Sequence, residues 1–382
     1  MRIMYKHLIC FVTFILIGTC LLPSRIIARE GGAQSDTALS VKSLNDGPHV
    51  HWPNDSSVIV FYLHEGEVVK KSFAVADTLR FRGFGPDTVS EYLIIKESKE
   101  NEACVFKDVS KIFALSDIHG EYEYLVDILT GAGVIDNAGH WNWGTGHLVI
   151  NGDVFDRGDM VTECLWLIYR LEKEAQRAGG AVHFTLGNHE LMVLQGDNRY
   201  VHEKYQKGIV KKTRIKHEDL YGPDMELGRW LRTLPTVIKI NDIVFVHGGI
   251  HPSLLDYGFS PEDLNDAVRR GLDLRSSQTA FNDTVKYLFG SKGPLWYRGF
   301  HYEMENSYPK ATDSELDRIL SYFDAQKIVV GHSEVDSVSG LYHNKVVAID
   351  IPAEELGSFQ GLLWEEGRFY RVKVNGTREL LE

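Results

Sequence analysis

The chain has 382 residues, of which 43% are hydrophobic and 25% are charged. This composition is close to the average for globular proteins, and it excludes a disordered chain, a coiled coil and a membrane protein with several spans. The formal net charge of −12 makes the surface acidic enough to repel phosphate backbones. Nucleic acid is therefore not expected as a partner.

The first 28 residues have the pattern of a secretory signal peptide. Arg2 and Lys6 make the start basic, an apolar run covers residues 8–22, and Ala28 is a small residue at which cleavage is expected. The run is shorter than the roughly 20 residues that a bilayer-spanning helix needs. The sequence therefore predicts an exported protein, periplasmic or secreted, with no stable membrane span after processing. An uncleaved anchor remains an alternative.

The cysteines refine this prediction. Cys20 lies within the first segment and offers a second alternative, a lipoprotein attached to a membrane at this residue. Cys104 and Cys164 remain in the mature chain. An oxidising compartment permits a disulfide between them, but the sequence leaves open whether they meet.

Three regions follow the signal peptide. Residues 29–47 are polar and rich in glycine and serine, which is typical of a linker. Residues 48–107 are β-rich and predict a small antiparallel accessory sheet, with a hairpin turn at His64-Glu65-Gly66. Residues 108–382 alternate short apolar runs with helical segments, which indicates an α/β layered domain. Helices are expected at about 160–178, from Ser260-Pro261 onward, and at about 313–324.

Six apolar runs in the last region predict buried strands: KIFALSD, HLVINGD, VHFTLGN, IVFVHGG, KIVVGHS and VVAIDI. Five of them lead into side chains that bind metal or phosphate, namely Asp117 and His119; Asp153, Asp156 and Arg157; Asn188 and His189; His247; and His332. Ligands gather at the carboxyl ends of strands in such sheets. Carboxylate, imidazole and amide oxygen are ligands suited to Mn, Fe or Zn, so we expect a metal centre here.

The order of these motifs resembles the calcineurin-like metallophosphoesterase superfamily, and in particular its phosphoprotein phosphatase (PPP) branch. The resemblance is carried by GDVFDRG at 152–158, LGNHE at 186–190, and Leu234-Pro235 shortly before His247-Gly248-Gly249. Within the branch, Asp159, LMVLQGD at 191–197 and WYRG at 296–299 are most similar to the Shewanella-like, bacterial-type phosphatases.

The resemblance covers about 111–352 and implies a fold. This fold is an α/β metallophosphoesterase β-sandwich flanked by helices, with four layers in the order α/β/β/α. Residues 48–107 lie outside the resemblance and would add the small N-terminal antiparallel β region.

The resemblance also implies a role for each motif residue. Asp117, His119 and Asp153 would hold one metal ion, and Asp153, Asn188, His247 and His332 would hold a second. A hydroxide bridging the two ions would attack phosphorus. His189 would be the general acid oriented by Asp156, and Arg157 and Arg298 would clamp the phosphoryl oxygens.

Three functions are consistent with these motifs and the roles that the resemblance implies. The first is an exported dinuclear-metal phosphatase that hydrolyses phosphomonoesters, in phosphoproteins (Ser/Thr or Tyr) or in small molecules. The second is a diadenosine-tetraphosphate-type hydrolase of symmetrical dinucleotide polyphosphates, against which export argues. The third is a catalytically silent, metal-bearing binding module, which would have no need of a general acid.

Overall fold

The computed structural model describes residues 45–74, 79–82, 91–94, 101–275, 277–352 and 359–381. The predicted signal peptide over residues 1–28 and most of the predicted linker over 29–47 lie outside the described residues. The first described strand begins at Asp46, so the last two residues of the predicted linker already belong to a sheet.

Strands and helices alternate along most of the chain. In chain order the strands are β1 (Asp46–Asn54), β2 (Ser57–His64), β3 (Glu67–Ala74), β4 (Leu79–Arg82), β5 (Glu91–Ile94), β6 (Val105–Phe106), β7 (Lys111–Leu115), β8 (His147–Ile150), β9 (Ala181–Phe184), β10 (Val237–Ile240), β11 (Ile243–Val246), β12 (Lys327–Val330), β13 (Ser339–Leu341), β14 (Val346–Ala348), β15 (Gln360–Glu365), β16 (Arg368–Lys373) and β17 (Arg378–Leu380). The α-helices are α1 (Tyr122–Gly131), α2 (Val161–Ala178), α3 (Asn188–Leu194), α4 (Glu203–Tyr205), α5 (Lys211–Thr213), α6 (Glu226–Leu231), α7 (Pro261–Gly271), α8 (Asp283–Leu288) and α9 (Asp313–Tyr322). A π-helical turn at Gln206–Val210 joins α4 to α5, and 3-10 turns cover Glu218–Tyr221 and Pro252–Tyr257.

Two six-stranded sheets form the centre of the fold. One has the order β17-β16-β15-β7-β8-β9, and the other has the order β13-β14-β12-β11-β10-β6. Strands β7, β8 and β9 run parallel, and so do β11, β12 and β14. Each of these six strands is one of the predicted apolar runs, and each is almost wholly buried. The carboxyl ends of three neighbouring parallel strands therefore meet at one edge of each sheet.

Helices cover both sheets, which gives the four layers implied by the resemblance. Helix α2 packs against β9 and α1, whereas α7 packs against β10 and α8. The side-chain amide of Asn151, just after β8, donates to the carbonyl oxygen of Val246 at the end of β11 over 3.1 Å. This bond ties the two sheets together at the edge where the predicted ligands lie.

The three helices predicted from the sequence are confirmed. Helix α2 ends at Gly179, which has the left-handed conformation (φ 80°) that glycine adopts without strain. Helix α7 begins with a capping box between Ser260 and Asp263. Helix α9 begins with the predicted capping box between Thr312 and Glu315.

The N-terminal sheet contains the predicted hairpin. Strands β2 and β3 pair antiparallel from Ser57 to His64, and Glu65 and Gly66 form the turn with φ of 47° and 77°. Two successive positive φ angles match the twist of a two-residue hairpin. Strand β1 completes this sheet on the other side of β2, and β4 and β5 form a separate antiparallel pair.

The N-terminal region is attached to the α/β part by specific bonds. The Trp166 indole on α2 donates to the Pro48 carbonyl over 2.9 Å, and the Trp52 indole donates to Glu226 on α6 over 2.7 Å. Strand β6, which also falls in the range predicted as accessory, pairs in parallel with β10 at the edge of a central sheet. The β-rich region thus contributes directly to the core.

The two cysteines of the described residues do not form a disulfide. Cys104 and Cys164 are both buried as free thiols. Burial raises the pKa of the Cys104 thiol to about 12, so it stays protonated and unreactive near neutral pH. Among the described residues, no helix is both long and apolar enough to span a bilayer.

Candidate active site

The strand ends bring the six predicted metal ligands together. Asp117 and His119 follow β7, Asp153 follows β8, and Asn188 begins α3 after β9, while His247 follows β11 and His332 follows β12. Each of these side chains is at most 8% exposed. Buried polar groups that solvent does not reach need partners within the protein or a bound ion. A cation would be a partner for the carboxylates and imidazoles that meet here.

Asp153 lies at the centre of this group. Its Oδ2 lies 3.1 Å from the His247 Nε2 and 4.0 Å from the His119 Nε2. Two sets of side chains, His119/Asp153/His189 and Asp153/His247/His332, have ligand atoms that lie within 4.8 Å of one another. Asp153 belongs to both sets, as a carboxylate shared between two cations would.

The residues present fit a pair of divalent cations. The His119 Nδ1 is bonded to the Phe155 carbonyl over 2.8 Å, and this bond fixes the orientation of the ring. The opposite nitrogen, Nε2, is buried without a hydrogen-bond partner and points to the carboxylates of Asp117 and Asp153. A metal ion is the partner that such a nitrogen lacks.

Asp117 and Asn188 complete the ring of donor atoms. The Asp117 Oδ2 accepts from the Ser116 hydroxyl (2.5 Å) and from the backbone N–H of His332 (3.0 Å), which leaves Oδ1 directed to His119. The Asn188 Oδ1 lies 3.0 Å from the His247 Nε2. Both side chains therefore present an oxygen atom to the same small volume as the histidines.

Glycines allow this close approach. A side chain at Gly187 would place its Cβ 2.2 Å from the Asp153 Oδ1, and one at Gly331 would place its Cβ 2.5 Å from the Asp117 Oδ2. No real Cβ tolerates such distances. The glycine in each motif is thus required by packing against a carboxylate.

The backbone at the site is strained. Left-handed φ angles, which are uncommon for residues with a side chain, occur at Asp117 (54°), His119 (49°), Asp153 (56°), Asp156 (70°), Arg157 (63°) and His332 (63°). Such conformations persist only when the surroundings enforce them, and they cluster at functional sites. Here they aim the side chains from the strand ends into a common centre.

Glu190 holds the turns of the site in place. This carboxylate is fully buried and accepts backbone N–H bonds from Gly187 (2.7 Å), Asp153 (2.9 Å) and Val154 (2.8 Å). The bonds join the loop after β8 to the start of α3. These contacts give Glu190 a bracing role.

His189 and Asp156 form a pair beside the ligand cluster. The His189 Nδ1 lies 2.6 Å from the Asp156 Oδ2, and the Nε2 on the other side of the ring faces Asp153 at 3.9 Å. Burial alone would lower the pKa of His189, but the negative charge of Asp153 and the bond to Asp156 outweigh it, so the pKa is raised above its ordinary value. The imidazolium form is therefore favoured, as a proton donor requires.

The two arginines reach the site from different directions. Arg157 has a half-exposed side chain, which lies 3.7 Å from the exposed carboxylate of Glu334. Arg298 is part-buried, and its guanidinium donates to the carbonyl of His332 and lies 3.3 Å from the His332 Nδ1. Arg298 thus lies against a predicted metal ligand, although it is distant from the strand-end motifs in sequence.

Tyr297, Tyr342 and His301 fall into two groups. Tyr297 is 1% exposed and packs against other aromatic rings, and the Tyr342 hydroxyl donates to the Ala311 carbonyl, so both are packing residues. Both ring nitrogens of His301 are buried without a hydrogen-bond partner. Burial, reinforced by Arg298 and Lys310, lowers the pKa of His301 to about 4, so its ring is neutral near pH 7.

Two residues near the site were not predicted from the sequence. Asp350 is buried just beyond β14, and its carboxyl interacts electrostatically with Asp117. The sequence contained a signal for Asp350, because VVAID is the sixth apolar run and ends in a carboxylate, as do the runs that lead to Asp117 and Asp153. Tyr200 lies beside His189, with ring centroids 5.3 Å apart. No strand or motif pointed to this tyrosine.

Comparisons with known proteins agree with this geometry. Residues 110–336 match the calcineurin-like phosphoesterase family. Shewanella-like protein phosphatase 1 of Plasmodium berghei (strain Anka) is 32% identical over 228 residues, which span 59% of this chain and 62% of the relative. The crystal structure of a cold-active protein tyrosine phosphatase from a psychrophilic Shewanella species is 37% identical, with a TM-score of 0.80, over 88% of this chain and 99% of that chain.

A relative that matches a shorter segment of the chain is named for a different activity. The symmetrical bis(5'-nucleosyl)-tetraphosphatase of Neisseria meningitidis serogroup A is 30% identical over 141 residues, which is 37% of this chain and 44% of the relative. The match covers much less of either protein than the phosphatase matches do.

Proposed function

The chain belongs to the calcineurin-like phosphoesterase family, within its Shewanella-like phosphatase branch, and from this premise we propose that it hydrolyses phosphomonoesters of phosphoproteins. The observation that carries the proposal is the pairing of His189 with Asp156 directly beside the ligand cluster around Asp153. A metal-bearing binding module has no use for an oriented proton donor. A phosphatase needs one for the leaving oxygen.

The contacts support a ligand assignment in which His189 is left out of the metal site. Asp117, His119 and Asp153 would hold one cation, and Asp153, Asn188, His247 and His332 a second, with manganese as a suitable ion. Bound there, the cations would supply Lewis-acid charge and a water molecule of lowered pKa. The chain's own part is to fix the donors, and the Glu190 bonds and the strained turns do so.

The proton for the leaving group would come from the His189 Nε2. Because Asp156 holds the Nδ1 nitrogen, only Nε2 is free to face a substrate. Cations on Asp153 would neutralise part of the charge that now supports the imidazolium. The bond to Asp156 would then be its main support, which makes Asp156 a positioning residue for the acid.

The two arginines are suited to the phosphoryl group. A guanidinium offers a planar fork of donors that matches two phosphoryl oxygens. Arg298 is held by its bond to the His332 carbonyl, and Arg157 is held only by a long ion pair to an exposed glutamate. We therefore assign the fixed contact to Arg298 and the adjustable one to Arg157.

The test compares substrates on metal-loaded protein. Phosphotyrosine peptide, phosphoserine peptide and diadenosine tetraphosphate are offered to the wild type, to Asp156→Asn, and to Asp324→Asn, whose carboxylate is fully exposed. We expect phosphate release from phosphopeptides, impaired in Asp156→Asn and unchanged in Asp324→Asn. Cleavage of the dinucleotide without cleavage of phosphopeptides would establish the alternative hydrolase. Turnover of none of them would favour the binding module.

Export is a separate part of the proposal. It rests on the basic start, apolar middle and small end of residues 1–28. N-terminal sequencing of the protein from its own host should give a start near Arg29, or a lipid-modified Cys20. An intact Met1 on a soluble cytoplasmic product would contradict both forms of the proposal.

A further inference from the structure

We propose that Tyr200 recognises the leaving group of the substrate and selects aryl phosphomonoesters, phosphotyrosine above all, over alkyl ones. This inference rests on the proposed phosphatase function and names its substrate class. It starts from an exposed aromatic ring that stands beside the proton donor.

Tyr200 differs from the other exposed tyrosines of the described residues. Its side chain is 49% exposed, and its ring centroid lies 5.3 Å from that of His189, at an angle of 51° between the planes. The ring contacts of the exposed Tyr257 and Tyr322 are with Phe259, Tyr287 and Phe323, none of which is a proposed ligand. Tyr302 is also exposed and follows Arg298 by four residues. Tyr200 is thus an accessible aromatic surface at the mouth of the site.

The backbone of Tyr200 is tied to the site. The Tyr200 carbonyl accepts the backbone N–H of Arg157 over 2.9 Å, which joins this residue to the loop that carries the proposed phosphate-binding arginine. Arg199 lies 5.6 Å from the ring centroid and forms an ion pair with Asp197, with an Nη2–Oδ2 distance of 2.7 Å.

The position of the proton donor decides what Tyr200 can touch. The leaving oxygen must come within about 3 Å of the His189 Nε2 to receive its proton. The phosphoryl group extends from that oxygen to the ligand cluster, so the rest of the leaving group extends outward. The Tyr200 ring lies next to His189 and is half exposed, so it lies beside the space that the leaving group would occupy. Tyr200 would then meet the first atoms of the leaving group.

The chemistry of those atoms sets the selectivity. In phosphotyrosine the leaving oxygen is attached to an aromatic ring, and in phosphoserine to an aliphatic carbon. Offset or edge-to-face contacts between rings add to simple burial, enough to change a rate ratio roughly 3- to 10-fold. An alkyl chain in contact with Tyr200 gains only the burial of its surface and lacks the ring–ring interaction.

The experiment measures kcat/KM for two peptides of one sequence that differ only in phosphotyrosine or phosphoserine. We expect Tyr200→Ala to lower the phosphotyrosine-to-phosphoserine ratio roughly 3- to 10-fold. Tyr200→Phe retains the ring and should keep most of the ratio. Tyr322→Ala, a control at another exposed tyrosine, should leave both activities as they are.

Binding gives a readout that does not depend on turnover. Phenylphosphonate should bind the metal-loaded wild type more tightly than butylphosphonate, and Tyr200→Ala should remove this difference, as measured by calorimetry. Inhibition by free phosphate should be the same in Tyr200→Ala, because the ring does not reach the phosphoryl oxygens.

Two results would overturn the inference. One is an equal loss on both peptides in Tyr200→Ala, which would make Tyr200 a support for His189. The other is an unchanged ratio. Both leave the proposed phosphatase function intact, whereas a wild type that hydrolyses neither peptide would refute that function and this inference with it.

Discussion

Two buried polar clusters of the described residues differ in whether they contain a lysine. The Asp153 cluster consists of Asp117, His119, Asp153, Asn188, His247 and His332. The Asp46 cluster, beneath the N-terminal sheet, consists of Asp46, His49, Glu163 and Lys204. Both sets of side chains are nearly inaccessible to solvent.

The Asp46 cluster contains a lysine. The His49 Nε2 lies 2.9 Å from Asp46, and the Lys204 ammonium lies 3.5 Å from Glu163 and 2.5 Å from the Asp159 carbonyl. Its residues are absent from the positive-φ positions of the described chain. The Asp46 carboxyl interacts with Lys204 and with the Thr162 side chain, so the cluster joins β1 to α2 and α4.

The Asp153 cluster lacks a lysine or arginine at its centre and is built on strained turns. Its carboxylates and imidazoles point at one another, which without added charge would be costly. The comparison separates two uses of buried polar groups. A cluster that contains a lysine holds segments together, and a cluster of carboxylates and imidazoles on strained turns, with the His119 Nε2 left without a partner, can accept an external cation.

The largest effect should come from Asp153. Because its carboxylate belongs to both ligand sets, Asp153→Asn should reduce hydrolysis to background and lower the bound metal below two ions per chain. Elemental analysis of purified protein measures the second quantity. Retention of two ions would show that Asp153 is not the shared ligand.

His189→Asn comes next and separates a proton donor from a ligand. The geometry permits both roles, because His189 groups with His119 and Asp153 while its Nδ1 is bound to Asp156. If His189 is the acid, the variant should keep both metal ions. Its turnover should fall roughly 10²–10⁴-fold, with a smaller loss for nitrophenyl phosphate. A parallel fall in metal content would assign His189 to the ligands.

A smaller effect, on stability alone, is expected from Asp46→Asn. Breaking a buried ion pair costs about 3–5 kcal/mol, measurable by urea unfolding, while metal content should stay at two ions. Burial raises the pKa of Asp46, but His49 and Lys204 outweigh it and lower the pKa to about 2, below the ordinary 3.8. The carboxylate therefore stabilises the fold above about pH 4, and this contribution is lost as pH falls towards 2.

The acid-dependent part of the unfolding free energy gives the sharper test. It should be smaller in Asp46→Asn than in the wild type between pH 4 and pH 2. Loss of metal from Asp46→Asn at neutral pH would mean that the two clusters are not independent.

The smallest effect should come from Arg298. Loss of a charge-assisted bidentate contact costs roughly 10- to 100-fold in kcat/KM, and inhibition by phosphate should weaken in the same variants. Arg298→Lys keeps the charge but loses the fork, so it should resemble Arg298→Ala. If both variants are inhibited by phosphate as the wild type is, Arg298 does not bind the phosphoryl group, and its contact with His332 is purely structural.

The sequence allowed the Asp153 cluster to be predicted in detail because each ligand directly follows an apolar strand. Strand order then brings the ends together, as with Asp117 and His332. The Asp46 cluster could not be predicted, since Asp46, Glu163 and Lys204 are far apart in the chain and follow no periodic pattern. Lys204 falls in a basic run that is typical of a solvated helix face, and the structure instead buries it beside Glu163.

The measurement that tests the account most directly is anomalous diffraction from crystals loaded with manganese. Two peaks of comparable height on either side of the Asp153 carboxylate, one near His119 and one near His247, are the predicted result. A single peak, or manganese bound only outside the Asp153 cluster, would contradict the shared carboxylate on which the proposed phosphatase depends.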